Sequence, residues 1–223
     1  FFVYSKMAFN ACVVCFCLFL QARSAELRNG IVYAVIDEVH GLTALGEEGL
    51  GGKVLRFTND SWALMANNLS IGSASGCSAL GMTSAAMNAV FNFTCADMIV
   101  EVSYALKLGA SFLEKQIRIA STKKLELSRV ALFEGLGVES NSGTEIPSWF
   151  LRNNPFNSKL DIAGFARFSS AGHGVFISVA NPWGRHTATT TNRSLFLSAS
   201  YSTLYTHDPA LQGTWFETDP VVV

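Results

Sequence analysis

The chain has 223 residues, 49% of them hydrophobic and 15% charged, with 16 basic against 17 acidic side chains and a formal charge of −1. That composition can bury a sizeable core and excludes an intrinsically disordered chain. The balanced charge, with no polybasic run, argues against a nucleic-acid surface or an electrostatic lipid-binding stretch. Residues 1–24 read as a targeting segment with upstream residues: Met7 is the expected start, and "ACVVCFCLFL" (11–20) is apolar throughout. A bilayer span needs roughly 20 residues, so this run fits the core of a secretory signal instead. Cleavage is expected after Ser24, in the small-residue pattern Ala22-Arg23-Ser24. A buried N-terminal strand or a short anchor is the alternative.

The remaining chain, 25–223, reads as β-structure. Asn29-Gly30 signals a turn, and the β-branched and aromatic run 31–36 predicts a strand. Short strands are expected at 42–45, 53–58 and 61–68, and the small, polar, glycine-containing stretch 72–85 reads as a loop. A strand over 89–94 precedes the clearest alternation in the chain, with Met98, Val100, Val102, Tyr104 and Leu106 on one face. Period two over that length means a long strand with one face buried. A turn at Gly109 leads to a strand over 112–120, then another over 125–135, a loop over 137–147 and an aromatic but irregular stretch over 148–158. A pair at 160–170 and 174–182, an alternating strand at 193–201 and a final segment at 213–223 follow. No amphipathic helix and no repeat interrupts them. The expected architecture is all-β, a large antiparallel two-sheet sandwich.

Cys12, Cys15 and Cys17 fall in the segment to be removed, leaving Cys77 and Cys95. A bridge between them suits an oxidising compartment and would contribute on the order of 3 kcal/mol; two buried thiols are the alternative. In residues 25–223 no CxxC, CxxH or HExxH pattern is present, so no metal site is expected, and no cofactor fingerprint occurs. Sequons at Asn59, Asn68, Asn92 and Asn192 are candidate glycosylation sites, which would put them on turns or outward faces.

The stretch "VSYALKLGASFLEKQIRIASTKKLELSRVALFEGL" (102–136) resembles the long meander of the β-supersandwich that precedes the catalytic domain in α-galactosidase-type and related glycoside hydrolases. "GHGVFISVANPWGR" (172–185) and "LRNGIVYAVID" (27–37) are similar to other parts of that domain. The resemblance spans most of residues 27–218 by pattern rather than by a signature. It implies a galactose-mutarotase-like sandwich in a secreted protein, partnered by carbohydrate and by a catalytic domain further along the same chain. Such a domain shapes the rim of a sugar site and carries no acid or base for hydrolysis.

The residues raise narrower questions. In "NPWGRH" (181–186), Trp183 could stack on a sugar ring, with Arg185 and His186 as further carbohydrate contacts; a plain strand-end turn is the other reading. Lys115 falls on the apolar side of its strand. Its methylenes could lie along the core with the ammonium at an edge; a buried ammonium would need a carboxylate, with Glu134 one strand on as the candidate; or a bulge could turn Phe112 inward instead. A proton-transfer or sugar-binding role is the functional alternative. A stand-alone mutarotase-like epimerase or polysaccharide lyase would need a carboxylate and a histidine facing each other, such as Glu134 or Glu217 with His173 or His186. His40 and His207 also sit in turn-like contexts. Glu47 and Glu48 are adjacent and point apart, and sequence cannot rank Asp37, Glu134 and Asp161 as a hydrolytic pair. No catalytic residue is assigned. A secreted structural or adhesive sandwich is the third possibility.

Overall fold

A computed structural model describes residues 24–49, 54–139, 148–154, 157–168, 173–181, 183–191 and 194–223. Residues 1–23, which hold nearly all of the expected targeting segment, Asn192 and most of the expected loop at 137–147 lie outside that set. The described chain forms β1 (Ser24–Arg28), β2 (Val32–Asp37), β3 (Gly41–Glu47), β4 (Val54–Thr58), β5 (Ala63–Ala66), β6 (Leu69–Gly72), β7 (Ser78–Ala85), β8 (Asn88–Cys95) and β9 (Met98–Leu106). It continues with β10 (Leu113–Ser121), β11 (Leu125–Glu139), β12 (Ser148–Asn154), β13 (Asn157–Phe168), β14 (His173–Val179), β15 (Gly184–Thr191) and β16 (Ser194–His207). A one-turn helix, α1 (Pro209–Gln212), leads to β17 (Trp215–Glu217) and β18 (Val221–Val222).

These strands make two nine-stranded antiparallel sheets. Sheet A runs β1-β2-β3-β4-β11-β16-β15, with β5 on β11 and β6 on β5; sheet B runs β12-β13-β14-β18-β10-β9-β8-β7, with β17 on β10. The two inner faces enclose one continuous core, as alternation demands when each sheet has one wet side. On β9, Met98, Val100, Val102, Tyr104 and Leu106 are all buried, and β10 presents Leu113, Lys115, Ile117 and Ile119 inward. Phe112 stays outside the strand at 36% exposure, so no bulge reverses this register.

The strand over 125–135 continues to Glu139 as β11, which pairs with β16 on one side and with β4 and β5 on the other. Three register shifts against β16 let it cross the whole sheet while curving. Residues 78–85, read as loop from their small side chains, are instead the edge strand β7, and 148–154 forms the strand β12, whose pairing with β13 shifts register at Asn153. Ladder hydrogen bonds to β8 and β13 override weak side-chain signals there. Cys77 and Cys95 are disulfide-bonded, which pins the start of β7 to the end of β8.

Side chains also tie the sheets together. Asn29 Nδ2 donates to the carbonyls of Lys107 and Ala110, both at 2.8 Å, and so closes the turn after β9, in which Gly109 has φ 76°. At the other end the Asp219 N–H donates to Tyr201 Oη at 3.2 Å, joining β16 to the segment before β18. Burial pushes the Tyr201 phenol up to about 12. The folded chain therefore keeps a proton that the unfolded chain loses near pH 10. The contribution of Tyr201 to stability should be fully present below pH 10 and vanish between pH 10 and about 12. Urea unfolding of the native chain and Tyr201→Phe across that range would check this; the gap between the two should be constant below pH 10 and narrow above it.

Candidate functional site

Among the described residues, Lys115 and Phe133 are the largest fully buried side chains, and Lys115 is the charged one. It stands on β10 directly opposite Tyr104 of β9, so both point from sheet B into the core. Its partner comes from sheet A. After β4 the chain turns through Asn59, whose φ of 56° aims the next side chain inward. That side chain is Asp60. The turn is clamped to β11: Ser61 Oγ donates to the Glu134 carbonyl at 2.6 Å, Glu134 N–H donates to the Ser61 carbonyl at 2.9 Å, and Asn59 Nδ2 donates to the Gly135 carbonyl at 3.1 Å.

Both carboxylate oxygens of Asp60 are used. Oδ1 accepts from Lys115 Nζ at 2.5 Å, and Oδ2 accepts from Tyr104 Oη at 2.6 Å and from the Leu42 N–H at 2.8 Å. The Lys115 and Asp60 side chains are each 0% exposed. The ammonium lies 4.3 Å from the Phe133 ring centroid and 5.4 Å from that of Tyr104. Gly41 makes room for the carboxylate: a Cβ there would stand 2.8 Å from Asp60 Oδ2, at a φ of 67° that favours glycine. Burial lowers the proton affinity of Lys115, with the Asp60 charge and hydrogen bond acting against it. Burial first, then the neighbouring Asp60, raises Tyr104 well above the ordinary phenol value, so it remains a donor.

This corrects the sequence reading of Lys115. Its ammonium is not at an edge, and Glu134 is not its partner; Glu134 pairs with Arg129 at 2.7 Å on a partly exposed surface. Asp60 was hidden by its place in the sequon Asn59-Asp60-Ser61, which suggests a solvated turn. The only sequence signal pointing to it was the need of a core lysine for some carboxylate. Lys115→Met should strand a buried carboxylate and cost about 3–5 kcal/mol, with Asp60→Asn in the same chain returning part of that loss. Chemical denaturation of the single and double variants would measure it.

A second arrangement lies on the outer face of sheet B. The register aligns Asn92 (β8), Glu101 (β9), Arg118 (β10) and Glu217 (β17) in one row. Arg118 bridges Glu101 at 3.2 Å and Glu217 at 3.0 Å. The neighbouring row is Thr94, Ile99, Ala120 and Trp215, with Ile99 44% exposed. The Arg118 guanidinium carbon sits 4.7 Å from the Trp215 ring centroid. A polar row with its charges held by ion pairs therefore runs beside an apolar row ending in an indole. Neither Arg118 nor Trp215 was singled out by sequence reading, because strand pairing alone makes them neighbours.

The "NPWGRH" residues do not share one face. Trp183 is 62% exposed and its N–H donates to Asn181 Oδ1, which is part of a turn whose Asn181 Nδ2 donates to Asp219. Arg185 points outward on β15, whereas His186 is 1% exposed and its Nε2 accepts from the Val179 N–H at 3.3 Å. His207 is likewise buried, with Nε2 2.7 Å from the Gly213 carbonyl. Glu217 belongs to the Arg118 row, and His173 and Asp161 are placed on β14 and β13 by their backbones. Of the sequons, Asn59 and Asn68 are exposed in turns and Asn92 is half-buried within β8. Among the described residues no group of three or more His, Cys, Asp and Glu side chains could hold a metal ion, and no helix is long and apolar enough to cross a membrane. Compared with protein-family models and with curated protein sequences, the chain matches none.

Proposed function

We propose that this chain is a non-catalytic, carbohydrate-associated β-sandwich module of the galactose-mutarotase-like supersandwich type, acting beside a glycoside hydrolase domain of a secreted protein. The observation that carries the carbohydrate part is the pair of rows on the outer face of sheet B. A sugar ring is itself two-sided, with a C–H face and a rim of hydroxyls. Trp215, Ala120 and Ile99 offer a strip for the C–H face, and Glu217, Arg118, Glu101 and Asn92 offer acceptors and donors at the spacing of adjacent strands, roughly 4.8 Å. The ion pairs hold these groups before any ligand arrives, which lowers the ordering cost of binding. The hydrolase and secretory parts of the reading rest on the resemblance of residues 102–136, 172–185 and 27–37 and on the apolar run at 11–20.

The reading is tested by titrating galacto-, gluco- and manno-oligosaccharides into the purified chain by calorimetry, after a glycan-array screen. Trp215→Ala should weaken binding about tenfold or more, as loss of an aromatic anchor does, while Trp183→Ala should leave it unchanged. The reverse result would move the sugar to the Asn181–His186 turn. No binding to any glycan would favour a structural or adhesive sandwich.

A further inference from the structure

The Asp60–Lys115 pair has the parts of a reaction as well as of an ion pair. We propose that Lys115 and Asp60 become joined, after folding, by an intramolecular amide bond between Lys115 Nζ and Asp60 Cγ. This assignment is independent of the carbohydrate reading, since it concerns the sealed interior rather than the outer face.

The geometry supplies each requirement. The nucleophile is in contact with the carboxyl group, Nζ lying 2.5 Å from Oδ1, and the two sheets hold it there. Fixing two reactants in this way replaces a bimolecular encounter with a step of high effective concentration. The other oxygen, Oδ2, is held by two donors, Tyr104 Oη at 2.6 Å and the Leu42 N–H at 2.8 Å. Two donors on one oxygen are the arrangement that stabilises the negative charge of a tetrahedral intermediate. The side chains are 0% exposed, and Phe133 and Tyr104 wall the amine, so bulk water is excluded and hydrolysis of the product is suppressed. Burial also loosens the proton on Lys115, which favours the neutral, nucleophilic amine.

The step balances without a further reactant. Proton transfer from the ammonium to Oδ1 along the existing hydrogen bond gives an amine and a carboxylic acid. The nitrogen lone pair attacks Cγ, and the charge gathers on Oδ2 between Tyr104 and Leu42. Collapse of that intermediate breaks the Cγ–Oδ1 bond. Oδ1 leaves as water, carrying two protons that began on Nζ, and the third remains as the amide N–H. There is no change of oxidation state.

The test is the mass of the folded, disulfide-reduced chain. It should lie about 18 Da, one water, below the mass of the sequence, and Lys115→Met should show no deficit. Trypsin should fail to cut after Lys115 and should release a branched species joining residues 57–107 to residues 108–118, between cleavages after Arg56, Lys107 and Arg118. The readout does not require Lys115→Met to fold. A native chain at full sequence mass, with 57–107 and 108–115 recovered as separate linear peptides, would overturn the proposal. So would a deficit that persists in Lys115→Met.

Discussion

Taking a carboxylate and an ammonium out of water together costs several kcal/mol for each ion, and a sandwich core can hold them only if every lone pair and proton is met. The Asp60–Lys115 pair satisfies that condition with groups drawn from both layers. Lys115 and Tyr104 come from sheet B; the Leu42 N–H and the Phe133 ring come from sheet A, and Asp60 comes from the turn after β4. Several local features follow from this constraint. Asn59 adopts a left-handed conformation, position 41 is glycine, and the turn is clamped to β11 at Glu134 and Gly135. An apolar core is indifferent to small slips of one sheet over the other. A charge pair with three defined acceptor contacts is not, so the pair fixes how the layers face each other as well as holding them together.

The same alternation that points Lys115 inward creates the outer rows. With Lys115, Ile117 and Ile119 committed to the core, Gln116, Arg118 and Ala120 must face out. Pairing with β9 and β17 then sets Arg118 between two glutamates and Ala120 between Ile99 and Trp215. Core and candidate binding face are thus two sides of one register. A one-residue slip of β10 would bury Arg118 and Glu114 and expose Lys115 and Ile117, abolishing both at once.

Buried and exposed chemistry are cleanly separated in this molecule. The fully buried acid–base contact between Asp60 and Lys115 lies where no substrate reaches it. On the outer face of sheet B, Arg118 is instead paired with Glu101 and Glu217. The hydroxyl-rich, uncharged ligand proposed above would exchange hydrogen bonds with such fixed groups without breaking the ion pairs.

Period-two patterning made the all-β class, the inward set on β9 and β10, the position of Lys115 and the candidacy of Cys77 and Cys95 legible in the amino-acid sequence, because these depend on neighbours along one strand or on composition. Patterning failed at 78–85 and 148–154, where small or irregular side chains are held as strands by ladder hydrogen bonds to β8 and β13. It also offered Glu134 to Lys115 on the basis of a nearby strand. It grouped Arg185 with His186 although consecutive strand residues point to opposite faces. What only the tertiary structure decided is which distant residues meet: Asp60 with Lys115, 55 positions apart, and Trp215 with Arg118 across a strand pairing. A strand's own sequence specifies which of its faces is buried. The partner that each buried or exposed group finds is set by how the two sheets stack and register, which no local pattern encodes.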